Sequence, residues 1–191
     1  LSVSAVLSFA DIACRLTGSD RNREKAIVLA KLVKSNILRV GSELTSSVGI
    51  SSNRLLAKMA SDMQKPDGLV VLEPSELPGA LHRLKLRDIP GVGPRMEIRI
   101  LSQGIRTMEA FLALSVSELR QIWGGVWGER MHRWLKGEDF EIESETHKSI
   151  GHSHVLSPEQ RNDPDAWAVA QKLLHRAAVR SRSNERVCGQ G

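Results

Sequence analysis

Apolar residues recur at helical spacing in two stretches of the first 75 residues. Over Arg23–Val40 the positions Ala26, Ile27, Ala30, Val33 and Ile37 share one face, and over residues 54–65 Leu55, Leu56, Met59, Ala60 and Met63 do the same. The first nine residues are apolar and strand-like, and residues 44–50 and 69–72 also read as strands. Strands alternating with helices predict an α/β layer. From residue 75 to about 136 the pattern is helical throughout, short-looped and rich in Leu, Gly and Arg. An acidic extended stretch, 138–145, leads to a strand over 148–156 and a helix over 163–182. That helix carries a stripe of Trp167, Ala170, Leu173, Leu174 and Ala177 opposite Lys172, Arg176, Arg180 and Arg182. Residues 183–191 are polar and expected to fray. The class is α+β.

Composition narrows this picture. The 191 residues suffice for one large domain or two small ones, and 41% are hydrophobic, but aromatics make up only 4% and there is no Tyr. A net charge of +5 and a pI near 9.6 favour anionic partners such as nucleic acid. Cys14 and Cys188 have no metal-ligand spacing and no partner motif, which suggests reduced thiols in a reducing, cytoplasmic compartment. No apolar run approaches a membrane span and no signal peptide is visible, so no membrane partner is expected. The apolar start without Met reads as if cut from inside a larger fold.

Three stretches carry candidate chemistry. Residues 46–68 combine strand, turn, basic helix and a Lys65-Pro66-Asp67-Gly68 turn; Arg54, Lys58 and Lys65 lie off the apolar stripe and give the helix a cationic surface. Pro66 ends the helix and leaves Lys65 at a fixed turn, a point charge suited to a phosphate. The same pattern fits an ordinary strand–helix–strand unit with a solvated basic face. Second, Ile89-Pro90-Gly91-Val92-Gly93 is a tight hairpin between two helices, with Arg95 and Arg99 beside it. Amides at the N-terminus of the following helix favour an anion, as in helix-hairpin-helix elements that grip phosphates without reading bases; a plain structural turn gives the same pattern. Third, His147, His152 and His154 look like metal ligands, yet no third ligand of suitable spacing joins His152 and His154 on one strand face. Solvated or phosphate-facing histidines fit better, and Lys148, Ser149 and the Gly151 amide are of a kind that contacts a phosphodiester.

In order, VGISSNRLLAKMASDMQKPDG, LRDIPGVGPRMEIRILSQGI and HKSIGHSHVL resemble a Y-family, translesion DNA polymerase of the bacterial DinB/UmuC type. The resemblance implies a partial palm over 1–74, a helical thumb with its helix-hairpin-helix over 75–136, a linker over 137–147 and an incomplete little-finger α/β module over 148–191. It implies that Lys65 contacts the triphosphate of an incoming dNTP, and that Gly91, Val92, Gly93 and Arg95 track primer–template phosphates. Lys148, Ser149, Ile150 and Gly151 would run along the DNA backbone in the first little-finger strand. Magnesium and, for the full-length family, a sliding clamp are implied too, in a nucleoid-associated bacterial protein; the tail has no apolar-aromatic peptide that would bind a clamp. The metal-binding pattern departs from the family. Where the family has a Ser-Ile-Asp-Glu strand this chain has Ser8-Phe9-Ala10-Asp11, which puts Ala10 at the aspartate and Asp11 at the glutamate. Asp11 is thus the one candidate catalytic and metal-binding carboxylate, and it also fits a strand-end aspartate in water. A two-metal site needs several carboxylates, so the expectation is a chain truncated at both ends that does not bind magnesium productively. Two functions stay open: a lesion-bypass polymerase completed elsewhere, or a non-catalytic, sequence-independent DNA-binding fragment.

Overall fold

Most helices begin where a short polar side chain can hold their first free amides. Asn22 opens α1 (Arg23–Val40), its Oδ1 accepting from the amides of Glu24 at 3.0 Å and Lys25 at 3.3 Å. Asn53 opens α2 (Arg54–Met63), Thr107 opens α4 (Met108–Leu112), and Ser115 forms a capping box with Glu118 at the start of α5 (Val116–Trp123). Asn162 accepts from the Asp165 amide at the start of α7 (Asp163–Ser183). The exceptions are α3 (Pro94–Ser102) and α6 (Val126–Leu135), which start at Gly93 and Gly125 with no side-chain cap.

The computed structural model describes residues 2–6, 11–140 and 154–183. Two small sheets occur: β1 (Ser2–Val6) pairs antiparallel with β2 (Ile12–Arg15), and β3 (Val48–Ile50) pairs in parallel with β4 (Leu69–Val71). The helix over Arg23–Val40 matches the sequence expectation, but the strand expected over 44–50 shrinks to its last three residues. Its partner β4 has only three residues to pair, and residues before Val48 turn instead, with the Leu44 amide on the Gly41 carbonyl.

By packing, the chain divides into residues Leu1–Phe140 and Glu141–Gly191. In the first unit one continuous core runs from Leu56, Met59 and Ala60 of α2 through Leu81, Leu86 and Ile89 to Phe111, Leu119, Ile122, Met131 and Leu135. The α/β layer and the helical segment therefore share a core. In the second unit the stripe expected on α7 is not buried among the described residues: Trp167 and Leu174 stand 66% and 67% exposed. The described part of that unit offers only a short 3₁₀ turn, Pro158–Gln160, beside the helix, and no strand to cover the stripe.

Candidate nucleotide and nucleic-acid site

The Lys-Pro-Asp-Gly turn is fixed from outside its own segment. Asp67 adopts φ +61°, a left-handed conformation that Asp tolerates better than most residues. The Lys34 ammonium, reaching over from α1, donates to Asp67 Oδ1 at 2.5 Å, to the Asp67 carbonyl at 2.9 Å, to the Gly68 carbonyl at 3.4 Å and to the Ser46 carbonyl. The hydrogen bond from Lys34 holds the Asp67 carboxyl below the usual carboxylate range. A folded-state value below the unfolded one means that this pair stabilises at neutral pH and fades as the carboxylate is protonated in acid. Lys34→Met removes the donor and leaves the part-buried Ser46 carbonyl without it, while the Gly68 carbonyl keeps the Val48 amide at 3.0 Å. It should cost about 2 kcal/mol, read as a lower urea midpoint, and return the Asp67 titration followed by NMR to the ordinary range. An unshifted midpoint and titration would show that the lysine does not hold the turn.

The expected cationic surface on α2 is only partly present. Lys58 Nζ lies 2.9 Å from Asp11 Oδ1 and 3.3 Å from Asp62 Oδ1, and Lys65 Nζ lies 2.5 Å from the same Asp62 oxygen. The four side chains form one alternating row, Asp11–Lys58–Asp62–Lys65: positions 58 and 62 are one turn apart on α2, and Lys65, in the turn past the helix end at Met63, reaches back to Asp62. Burial pulls the Lys58 ammonium downward, but the hydrogen bond to Asp11 and the charges of Asp62 and Asp11 outweigh it and raise its pKa. Sequence placed Lys58 in water; its side chain is 23% exposed and bound to carboxylates. Asp11 sits one residue before β2, with its carboxylate committed to Lys58, and Ala10 offers no donor atom. Among the described residues no three His, Cys, Asp or Glu side chains gather where an ion could sit. The donor set among the described residues does not fit a two-metal centre.

The hairpin Ile89–Gly93 is built as the sequence predicts. Ile89 and Val92 are buried, and the Val92 amide donates to the Ile89 carbonyl at 2.9 Å. Gly91 takes φ +94°, open to glycine at no steric cost. Val92 thus spends side chain and amide inside the chain, while Gly91, Gly93 and Arg95 stay on the exposed side. A methyl group added at Gly91 or Gly93 would meet nothing within 4 Å, so nothing in the chain itself crowds these positions. Arg99 differs from expectation: it donates to the Ile122 carbonyl at 2.9 Å and ties α3 to the end of α5. A second hairpin, Gly124-Gly125 with φ +79° and +90°, joins α5 to α6. The sequence reading passed over it, although a Gly-Gly pair between two helical patterns is a turn signal. Lys148, Ser149, Ile150 and Gly151, with His147 and His152, lie outside the described residues; His154 is exposed in irregular backbone.

These two hairpins and the α/β layer have counterparts in known proteins. The profile of the impB/mucB/samB family matches residues 4–62, and that of a SAM-like helix-hairpin-helix tandem matches residues 84–135. A DNA polymerase IV of Nitrosopumilus maritimus is 35% identical over 150 residues, 78% of this chain and 40% of that protein. One from Moorella thermoacetica is 36% identical over 160 residues, 82% of this chain and 40% of its own length. Among solved structures, DinB from Sulfolobus solfataricus superposes with a TM-score of 0.53 at 31% identity, over 63% of this chain and 35% of that one. The chain belongs to the Y family of DNA polymerases. It spans about two fifths of the length of these Y-family relatives. The insertion ternary complex of Dbh DNA polymerase matches equally well, with a TM-score of 0.54, 31% identity and coverage of 63% of this chain and 35% of that one. Among the described residues no helix is long and apolar enough to cross a membrane.

Proposed function

We propose that this chain is the phosphate-gripping part of a Y-family translesion polymerase, holding primer–template DNA without reading its sequence and without itself transferring nucleotides. The observation that carries the reading is the Gly91–Gly93 hairpin: exposed, uncrowded glycines in front of an uncapped helix with Arg95 beside it. Backbone amides there suit a phosphate oxygen, and phosphate contacts position DNA without specifying bases. Lys65 takes the dNTP triphosphate in this reading, with Asp62 as the partner it exchanges for phosphate. Lys148, Ser149 and Gly151 extend the backbone grip, as the family resemblance implies. The family's divalent ions, its clamp partner and its nucleoid location are carried by relationship alone. The carboxylate missing at Ala10 and the commitment of Asp11 to Lys58 underlie the non-catalytic part of the reading.

The test uses Gly93→Asp. Aspartate is a good N-cap and meets no neighbour at this position, so the fold should be as stable as the parent or slightly more so. The same carboxylate repels a phosphate. Duplex affinity should fall by a similar factor on unrelated sequences, and the log–log slope against salt should become shallower by about one. Unchanged affinity would remove the hairpin from the interface. Primer extension with magnesium and four dNTPs should give no product; templated extension would restore the enzymatic reading.

A further inference from the structure

This chain has seven aromatic residues in all, yet three of them stand outside the core in one row on α6 and just beyond it. The Arg130 guanidinium lies 5.1 Å from the ring centre of Trp127. Trp127 and Trp134 are 6.1 Å apart, Trp134 and Phe140 stack at 5.1 Å and 6°, and the Arg133 guanidinium covers Phe140 at 4.2 Å. Helical spacing explains the row, since 127, 130 and 134 follow one another at three- and four-residue steps. Trp127 is 49% exposed, and its neighbour Val126 is 59% exposed. Glu138 holds Arg133 at 2.6 Å, whereas Arg130 sets its charge over an indole face and, among the described residues, not against a carboxylate.

A row of flat apolar groups flanked by guanidinium planes selects its occupant by chemistry. An aliphatic protein surface gains nothing from the arginines, and a double helix shows its phosphates but hides its base faces. Unpaired nucleotides supply both a π-face for Trp127 and a phosphate for Arg130. We propose that the α6 row is a stacking surface for single-stranded nucleic acid, separate from the phosphate grip of the first hairpin.

Fluorescence anisotropy of a labelled oligothymidylate tests this with the full chain at low salt. A duplex of the same length and an abasic oligomer of the same charge serve as comparisons. The parent should bind oligothymidylate about tenfold or more tightly than the abasic strand, from the stacking of bases on aromatic rings. Trp127→Ala should lose a similar factor for oligothymidylate and leave duplex affinity unchanged, and Trp127→Phe should recover most of it. Arg130→Gln should weaken oligothymidylate binding and its salt dependence together. Gly93→Asp should do the reverse, weakening duplex binding alone, so a failure of the hairpin reading is told apart from a failure of this one. Equal affinity for the base-bearing and abasic strands, or parent-like oligothymidylate binding by Trp127→Ala, would overturn the proposal.

Discussion

Gly128→Ala should unfold the paired helices of the tandem hairpin. A methyl group at Gly128 would fall 2.2 Å from the Leu119 carbonyl oxygen, 2.3 Å from its carbon and 2.5 Å from the Arg120 nitrogen. All three are backbone atoms of α5, so no side chain can swing aside. The helices must separate, and the separation exposes Leu119, Ile122, Met131 and Leu135, which are now buried between them and the rest of the core. Overpacking of this kind costs about 3 kcal/mol or more. On a chain of this size that corresponds to a fall in Tm of roughly 6–12 °C. Because Arg99 ties α3 to the Ile122 carbonyl, the first hairpin should loosen as well, and DNA binding should fall with stability. Gly93→Ala is the control: its φ is −82° and the added methyl meets nothing, so its cost should stay within about 1 kcal/mol. Equal melting of Gly128→Ala and the parent would mean that α5 and α6 do not approach this closely.

The contrast between these two glycines also shows what was legible in the sequence. Periodicity located α1 and α2, and the Ile-Pro-Gly-Val-Gly run announced its hairpin, because those signals are local. Asn53 preceding an apolar helical run is likewise a readable cap. A local signal does not say which glycine is a close-approach site: Gly128 is a glycine within a helical pattern, and only the packing of α5 against it makes it one. Nor does it give the partners of charged residues. The polar helix face of Lys58 points to water, and its pair with Asp62 one turn on is local, but its nearer partner Asp11 lies 47 positions away and carries no signal in the pattern. Lys34 carried no signal at all; its four acceptors come from residues 46, 67 and 68. The stripe on α7 was legible as periodicity but not as burial, since burial depends on what packs against it.

The row Asp11–Lys58–Asp62–Lys65 bears on the candidate chemistry in the same way. Two carboxylates and two ammonium groups leave the row near neutrality, which differs from the cationic face inferred from sequence. A triphosphate at Lys65 must therefore displace Asp62, and Asp62 then falls back on Lys58 alone. Under the proposed function, this row would exchange one anion for another.

Asn53→Asp should be tolerated in acid and costly at neutral pH. Asn53 is 5% exposed and works at both ends: Oδ1 accepts from the Leu56 amide at 2.9 Å, while Nδ2 donates to the carbonyls of Trp134 at 2.8 Å and Glu138 at 3.0 Å. It caps α2 and fastens it to the end of α6, so one side chain joins the segment bearing Lys65 to the segment bearing the hairpins. Aspartate keeps the cap, but its second oxygen must face two carbonyl oxygens. The ionised form is disfavoured there, and the carboxyl pKa in the folded state should rise above the ordinary carboxylate value. Between the unfolded and folded values the native state then holds the extra proton, so stability falls as pH rises across that window and levels off above it. The expected cost is roughly 3 kcal/mol at pH 8, where a buried charge faces two acceptors, and it should shrink toward pH 5 as the acid form donates to one carbonyl. Asn53→Ala removes cap and clasp together and should show a gap of similar size that does not change with pH. Urea titrations of both variants at the two pH values decide the matter. A pH-independent gap for Asn53→Asp would place water, and not the Trp134 and Glu138 carbonyls, against this side chain.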